Sequence, residues 1–220
     1  MTYTIQDIAR ILKSPERPDV AAPVVHLLLD SRKLIFPETT LFFALKGPRR
    51  NGHAYLPELY VRGVRYFVVS EPVLQADYPE AIFLTVPDTL QALQTLSSHH
   101  RKRFQLPVIG ITGSNGKTIV KEWLFQLMEH RFRIIRSPKS YNSQIGVPLS
   151  VWMLQENHEL AIWEAGISQS GEMDRLQKII QPTLGIFTNI GEAHSEGFLN
   201  IRQKINEKLR LFTGVDALIY

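Results

Sequence analysis

Apolar residues fall along the chain in two rhythms, and the change comes near residue 105. Before it the pattern is mixed. Ile5, Ile8, Ile11 and Leu12 recur at helical spacing behind Thr4, a residue that can cap a helix. Residues 24–29 and 41–45 are short apolar runs that predict strands. Residues 53–61 read as a helix stopped by Gly63, and residues 65–69 and 82–86 as two more strands. Asp88 or Thr89 can cap a helix carrying Leu90, Leu93 and Leu96. That helix runs into His99-His100-Arg101-Lys102-Arg103, read as a solvated end whose cations suit the C-terminal dipole. The run lacks the aromatic interleaving and the second basic cluster that a nucleic-acid patch would carry.

After residue 105 strands and helices alternate. Strands are expected at 107–111, 132–135, 160–163, 183–187 and 217–220, with helices at 117–129, 146–154, 172–180 and 201–212. Such alternation predicts a parallel sheet with helices on both faces. The fold class is therefore α/β: a small mixed α/β N-terminal domain over 1–104, then a doubly wound parallel-sheet domain over 105–220. The last apolar run stops at Tyr220, so this second domain is expected to be truncated.

The chain has 220 residues, 44% hydrophobic and 21% charged, which excludes disordered and fibrous classes. It contains no cysteine, so disulfide frameworks, thiolate metal sites and thiol nucleophiles are excluded. Lys plus Arg number 25 and Asp plus Glu 21, a net charge of +4 that suits an anionic small molecule as well as a nucleic acid. No apolar run approaches the ~18 residues of a membrane span. The N-terminus has no basic region followed by an apolar stretch. The expectation is a cytoplasmic monomer that neither enters membranes nor binds nucleic acid.

The most specific motif is Gly113-Ser114-Asn115-Gly116-Lys117-Thr118, between a buried strand and a helix. Glycines let the backbone curl so that several N–H groups point at one anion. The helix N-terminus adds a positive dipole end. In such a loop Lys117 neutralises the outer phosphates and the Thr118 hydroxyl holds Mg²⁺. The general pattern has a further glycine where this chain has Ile111, so the loop is a shorter GxxGKT form. Phosphoryl transfer from ATP is the chemistry expected of it.

Phosphoryl transfer needs Mg²⁺ held by a few oxygen ligands. A doubly wound sheet places its ligands outside the carboxyl ends of its strands. Glu164 ends one apolar strand, and His194 follows another in a glycine-flanked loop. Glu172 and Asp174 read as ordinary first-turn carboxylates of a helix. From spacing alone, Lys208 is a surface lysine on an amphipathic helix.

Several segments belong to one pattern. They are the loop ending at Lys117-Thr118 with Lys121-Glu122 behind it, Asn142 with Ile145-Gly146-Val147-Pro148, and Glu164-Ala165-Gly166-Ile167-Ser168. To these add Thr188-Asn189 with Ala193-His194, then Lys208, and in the N-terminal part Asp30-Ser31-Arg32, Lys46-Gly47 and Asn51-Gly52-His53. Together they resemble the Mur ligase superfamily over nearly the whole chain. Within it they resemble the ligases that join D-alanyl-D-alanine to UDP-N-acetylmuramoyl-tripeptide. Ser143 stands where that branch usually has a second asparagine, and Leu199 where it commonly has glycine.

The resemblance implies an ATP- and Mg²⁺-dependent amide-bond ligase that works through an acyl phosphate. It implies that Gly113, Ser114, Asn115, Gly116, Lys117 and Thr118 bind ATP. Thr118 and Glu164 would hold one Mg²⁺; His194 and Lys208, the latter carbamylated by CO₂, would hold another. Lys117, His194 and Lys208 would serve catalysis, and Ser31, Arg32, Lys46, His53 and Asn142 would bind the UDP-sugar peptide. At a strand end, Ser31 and Arg32 offer hydroxyl and guanidinium donors to a diphosphate or a uracil. The resemblance also implies a C-terminal domain that this chain lacks, so that the chain alone would be inactive. The variant at 164–168 resembles members fused to an alanine racemase. Two readings stay open beside it: the sister ligase that adds the third amino acid, and a non-catalytic nucleotide-binding module.

Overall fold

The computed structural model describes residues 2–48, 50–191 and 197–220. The chain forms two compact units, Met1–Leu96 and Ser97–Tyr220.

In the first unit, β1 (Tyr3–Thr4) leads straight into α1 (Ile5–Leu12). Thr4 Oγ1 accepts from the Asp7 amide at 3.1 Å, and Asp7 Oδ2 accepts from the Thr4 amide at 3.0 Å. Each side chain thus satisfies a donor that the first helical turn leaves open. The run at 24–29 is not one strand. β2 (Pro23–Val24) pairs antiparallel with β1, while β3 (His26–Leu28) pairs parallel with β4 (Thr40–Phe43). Neighbouring residues serve different sheets, and the exposed Val25 between them makes the break. α2 (Leu56–Val61) follows a turn of 3-10 helix and ends at Gly63, whose φ of +94° is the left-handed conformation that suits glycine there. β5 (Tyr66–Val69) and β6 (Ile82–Thr85) complete a parallel four-stranded sheet in the order β3-β4-β5-β6. Phe42, Leu59, Phe67 and Phe83 fill its core, with Phe67 and Phe83 stacked at 5.2 Å.

α3 (Thr89–Arg101) begins on Asp88, whose Oδ1 accepts from the Leu90 and Gln91 amides. Its last turn belongs to the second unit. There β7 (Val108–Thr112), α4 (Lys117–Met128), β8 (Ile134–Arg136), α5 (Gly146–Trp152) and β9 (Leu160–Glu164) follow in turn. α6 (Glu172–Ile180), β10 (Leu184–Phe187), α7 (Ile201–Leu209) and β11 (Ala217–Ile219) complete the unit. All neighbouring strands are parallel, in the order β11-β10-β7-β9-β8. Side-chain alternation splits the core in two. Ile109, Ile111 and Ile162 meet Val120 and Leu124 of α4, while Val108, Ala161 and Trp163 meet Val151, Met173 and Leu176 of α5 and α6. The sheet is therefore covered on both faces, the doubly wound arrangement that the alternating pattern predicts.

A second expectation fails. The basic end of α3 is not simply solvated: His100 and Arg101 are buried. Arg101 Nε donates to the carbonyl of Ile180 at 3.0 Å, and Nη1 to that of Phe104 at 2.7 Å. Ile180 closes α6, so the guanidinium satisfies a carbonyl left open at a helix end. Among the described residues, no helix is long and apolar enough to cross a membrane.

Candidate functional site

β7 has β9 on one side and β10 on the other, so the direction of winding changes at β7. Such a point opens a crevice outside the strand ends, and the loop 113–116 lies there, between β7 and α4. Gly116 has φ of +80° and caps α4. A Cβ on Gly113 would fall 2.0 Å from Thr188 Oγ1, so the approach of the loop after β10 requires glycine. That second loop braces the first. The Ser114 amide donates to the Asn189 carbonyl at 3.0 Å, the Asn115 amide to Asn189 Oδ1 at 2.9 Å, and the Gly191 amide to Ser114 Oγ at 2.9 Å.

Lys117 Nζ donates to the Gly113 carbonyl at 2.9 Å and to that of Ser114 at 3.3 Å. Burial holds its pKa below the usual lysine range; Glu164 pulls the other way, and Lys204 adds to the lowering. Thr118 Oγ1 donates to Glu164 Oε2 at 3.0 Å. Glu164 itself is fully buried, and its Oε1 pairs with Lys121 Nζ at 2.9 Å without a well-aligned hydrogen bond. A buried carboxylate beside a threonine hydroxyl is a set of hard oxygen donors, which fits a divalent cation.

Lys208 is not the surface lysine that spacing predicts. It is 3% exposed, and its Nζ donates to the Gly113 carbonyl at 3.1 Å. Burial, with Lys117 and Lys204 nearby, lowers its pKa to about 8. α7 is inverted throughout: Ile201 and Leu209 are exposed, while Lys204, Glu207 and Lys208 are buried. Lys204 Nζ donates to the Gly191 carbonyl at 2.6 Å, and Glu207 Oε1 accepts from the Gly171 amide at 2.6 Å. Polar contacts replace apolar ones because α7 faces backbone groups of two loops. Helical periodicity gave no warning of Lys204 or Glu207.

The other expected residues divide. Glu172 Oε2 accepts from the Ser168 and Gln169 amides, and Asp174 pairs with Arg210, so both support structure. Asn142 accepts from the Gly166 amide through its carbonyl and lies against the segment that follows Glu164. His194 lies outside the described residues. Lys121, to which spacing assigns no role, lies 2.9 Å from Glu164 Oε1. Its place one turn after Lys117 and Thr118 was the available signal.

The N-terminal unit holds a cavity of about 400 Å³ lined by Ser31 and Arg32 together with Arg50 and Tyr55. The Arg32 guanidinium forks onto Asp30 at 2.8 and 2.7 Å and holds its carboxyl at about 2. Lys46 and His53 do not line this cavity. Lys46 Nζ pairs with Glu71 at 2.8 Å. His53 Nε2 accepts from the Ser70 and Glu71 amides at 3.0 and 3.2 Å, and its Nδ1 is 2.8 Å from Asn51 Oδ1. Both ring nitrogens are thereby occupied within the fold.

Comparison with known proteins bears on this geometry. Residues 111–219 match the Mur ligase middle domain. The UDP-N-acetylmuramoyl-tripeptide--D-alanyl-D-alanine ligase of Bacillus subtilis is 35% identical over 99% of this chain and 48% of its own length. The chain belongs to the Mur ligase family. Among solved Mur ligases, MurF from Acinetobacter baumannii superposes with a TM-score of 0.89 at 28% identity, over all of this chain and 49% of its own. MurF from Thermotoga maritima in complex with ADP superposes with a TM-score of 0.76 at 26% identity, over 87% of this chain and 43% of its own. The chain thus spans about half the length of the Mur ligases it matches.

Proposed function

We propose that this chain carries the UDP-sugar and nucleotide sites of a cytoplasmic ligase joining D-alanyl-D-alanine to UDP-N-acetylmuramoyl-tripeptide. Residues 1–104 dock the UDP-sugar, and residues 105–220 dock ATP. The observation that carries the reading is the meeting of Lys117, Thr118, Glu164 and Lys208 around the loop 113–116. The relatives named above support the choice of substrates.

In this reaction an oxygen of the tripeptide carboxylate attacks the γ-phosphorus of ATP. The new O–P bond forms as the bond to the β,γ-bridging oxygen breaks, and ADP leaves. The amine of D-alanyl-D-alanine then attacks the acyl carbon, loses a proton, and displaces phosphate. The protein supplies position and charge. Amides of the loop and Lys117 cradle the phosphates, with Lys117 leaving its two backbone carbonyls to do so. Ser31 and Arg32 hold the UDP end, and Asn142 lies beside the strand end where the peptide carboxylate arrives. Thr118 and Glu164 would hold one Mg²⁺, and His194 with carbamylated Lys208 another; bound there, the ions neutralise charge on the phosphates. Carbamylation needs a neutral amine, and a pKa of about 8 leaves an appreciable fraction of Lys208 in that form near neutral pH.

Calorimetric titration of the full chain with UDP-N-acetylmuramoyl-tripeptide, with UDP, and with ADP plus Mg²⁺ tests the reading. It expects all three to bind, the UDP-sugar more tightly than UDP. Binding of ADP alone would leave only a nucleotide-binding module, and binding of none would overturn both roles.

A further inference from the structure

Lys121 and Glu164 are both completely buried, and neither the phosphates nor the peptide of the proposed reaction has been given a use for Lys121. Its ammonium has three protons. One goes to the Ser137 carbonyl at 2.8 Å and a second to the Lys139 carbonyl. A single proton remains for two carboxylate oxygens, Glu164 Oε1 at 2.9 Å and Glu122 Oε1 at 3.1 Å. Glu164 Oε1 consequently shares one proton of the ammonium with Glu122 and takes no well-aligned hydrogen bond of its own. Its sister oxygen faces Thr118, and the Glu164 amide donates to the Ser137 hydroxyl at 3.3 Å.

We infer that Lys121 is a positioning residue, which aims the Glu164 carboxylate at a cation bound beside Thr118. The ammonium compensates the buried charge and fixes the direction of the carboxylate, and it uses at most one of the two lone pairs of Oε1. Its two carbonyl contacts tie α4, which bears Thr118, to the segment after β8, so the two oxygen donors share one rigid frame. Each carboxylate oxygen carries two lone pairs, so the ion pair with Lys121 leaves Oε1 a site for a cation. The inference rests on the reading of Glu164 as a cation ligand.

The test is the Mg²⁺ dependence of ADP binding by the full chain, followed calorimetrically for Lys121→Met, Lys121→Gln and Glu164→Gln, with thermal unfolding run alongside. Lys121→Gln keeps a donor for a carbonyl and serves if methionine at 121 prevents folding. Removal of a group that orients a metal ligand is expected to weaken the apparent Mg²⁺ affinity about tenfold or more. ADP binding in EDTA, which depends on the loop 113–116, should stay within about twofold. A folded Lys121 variant with an unchanged Mg²⁺ midpoint, while Glu164→Gln shifts it, would overturn the role of Lys121. An unchanged midpoint in Glu164→Gln would instead overturn the ligand reading beneath it.

Discussion

The hydroxyl of Thr118, at the first turn of α4, donates to Glu164 Oε2, at the end of β9, across 3.0 Å. The contact joins the phosphate loop's helix to a strand two connections further along the chain, so it fixes two oxygen donors relative to one another. Thr118→Val keeps the shape and removes the hydroxyl. We expect the Mg²⁺-dependent part of ADP binding to weaken about tenfold, with Thr118→Ser restoring it. Calorimetry at several Mg²⁺ concentrations is the measurement; equal affinities for valine and serine variants would refute a ligand role.

Lys117→Ala removes the cation poised over the loop. A charge-assisted hydrogen bond contributes about 1.5–3 kcal/mol, so ADP affinity should fall roughly 10- to 100-fold. Affinity for UDP-N-acetylmuramoyl-tripeptide should not change, because that ligand is assigned to the other unit. Parallel losses of both affinities would point to misfolding instead.

The two units offer a contrast between Arg32 and His53. Arg32→Ala should weaken UDP-sugar binding, since Arg32 lines the cavity. His53→Ala should chiefly lower stability, since the ring accepts two backbone amides and contacts Asn51. Urea unfolding and calorimetry on both variants separate the effects. A His53 variant of full stability that fails to bind would return His53 to the binding site.

Glu207→Ala should destabilise the second unit by about 1–3 kcal/mol, the cost of leaving buried amides unpaired. The carboxylate caps the first turn of α6 through the Gly171 and Met173 amides. Urea unfolding reads the loss. A change within experimental error would show that water replaces the carboxylate freely.

Stability should fall as the medium turns acidic, and His100 supplies a defined window. Burial lowers its pKa from 6.5 to about 4, opposed by the Leu154 carbonyl and assisted by the charges of Arg103 and His99. The folded state keeps the ring neutral while the unfolded chain protonates, so stability is present above pH 6.5 and is lost as the pH falls towards about 4. The loss from this one group is at most ~3 kcal/mol. Unfolding curves of the parent and of His100→Gln across that range should differ in slope, and identical slopes would remove His100 from the account.

Much of the fold could be read from the sequence because its strands are apolar runs and some of its helices, α1, α3 and α7, begin at side-chain caps. Thr4 and Asp88 mark starts by local chemistry, and the loop 113–118 advertises itself through glycines that curl the backbone. Glu164 stood out because an acidic residue at the end of a buried strand has no solvated face to explain it. The misread positions share a different cause. Arg101 and Lys208, solvated by the measure of spacing, are charged residues buried against backbone carbonyls that lie far away in sequence. Periodicity ranks residues by affinity for oil, and a helix that packs on polar backbone reverses the ranking. The split of residues 24–29 between two sheets escaped for a related reason: a run of apolar residues does not say which partner each one pairs with.

The Gly113 carbonyl accepts from two lysine side chains at once, those of Lys117 and Lys208. A visitor to the loop must therefore offer more than the carbonyl already does. Adenosine without phosphates, or a neutral sugar, has nothing that would draw Lys117 away, whereas a polyphosphate offers it a stronger, charged acceptor. On the proposed reading, the resting contacts of Lys117 set a threshold of charge for admission to the loop, which favours phosphorylated ligands.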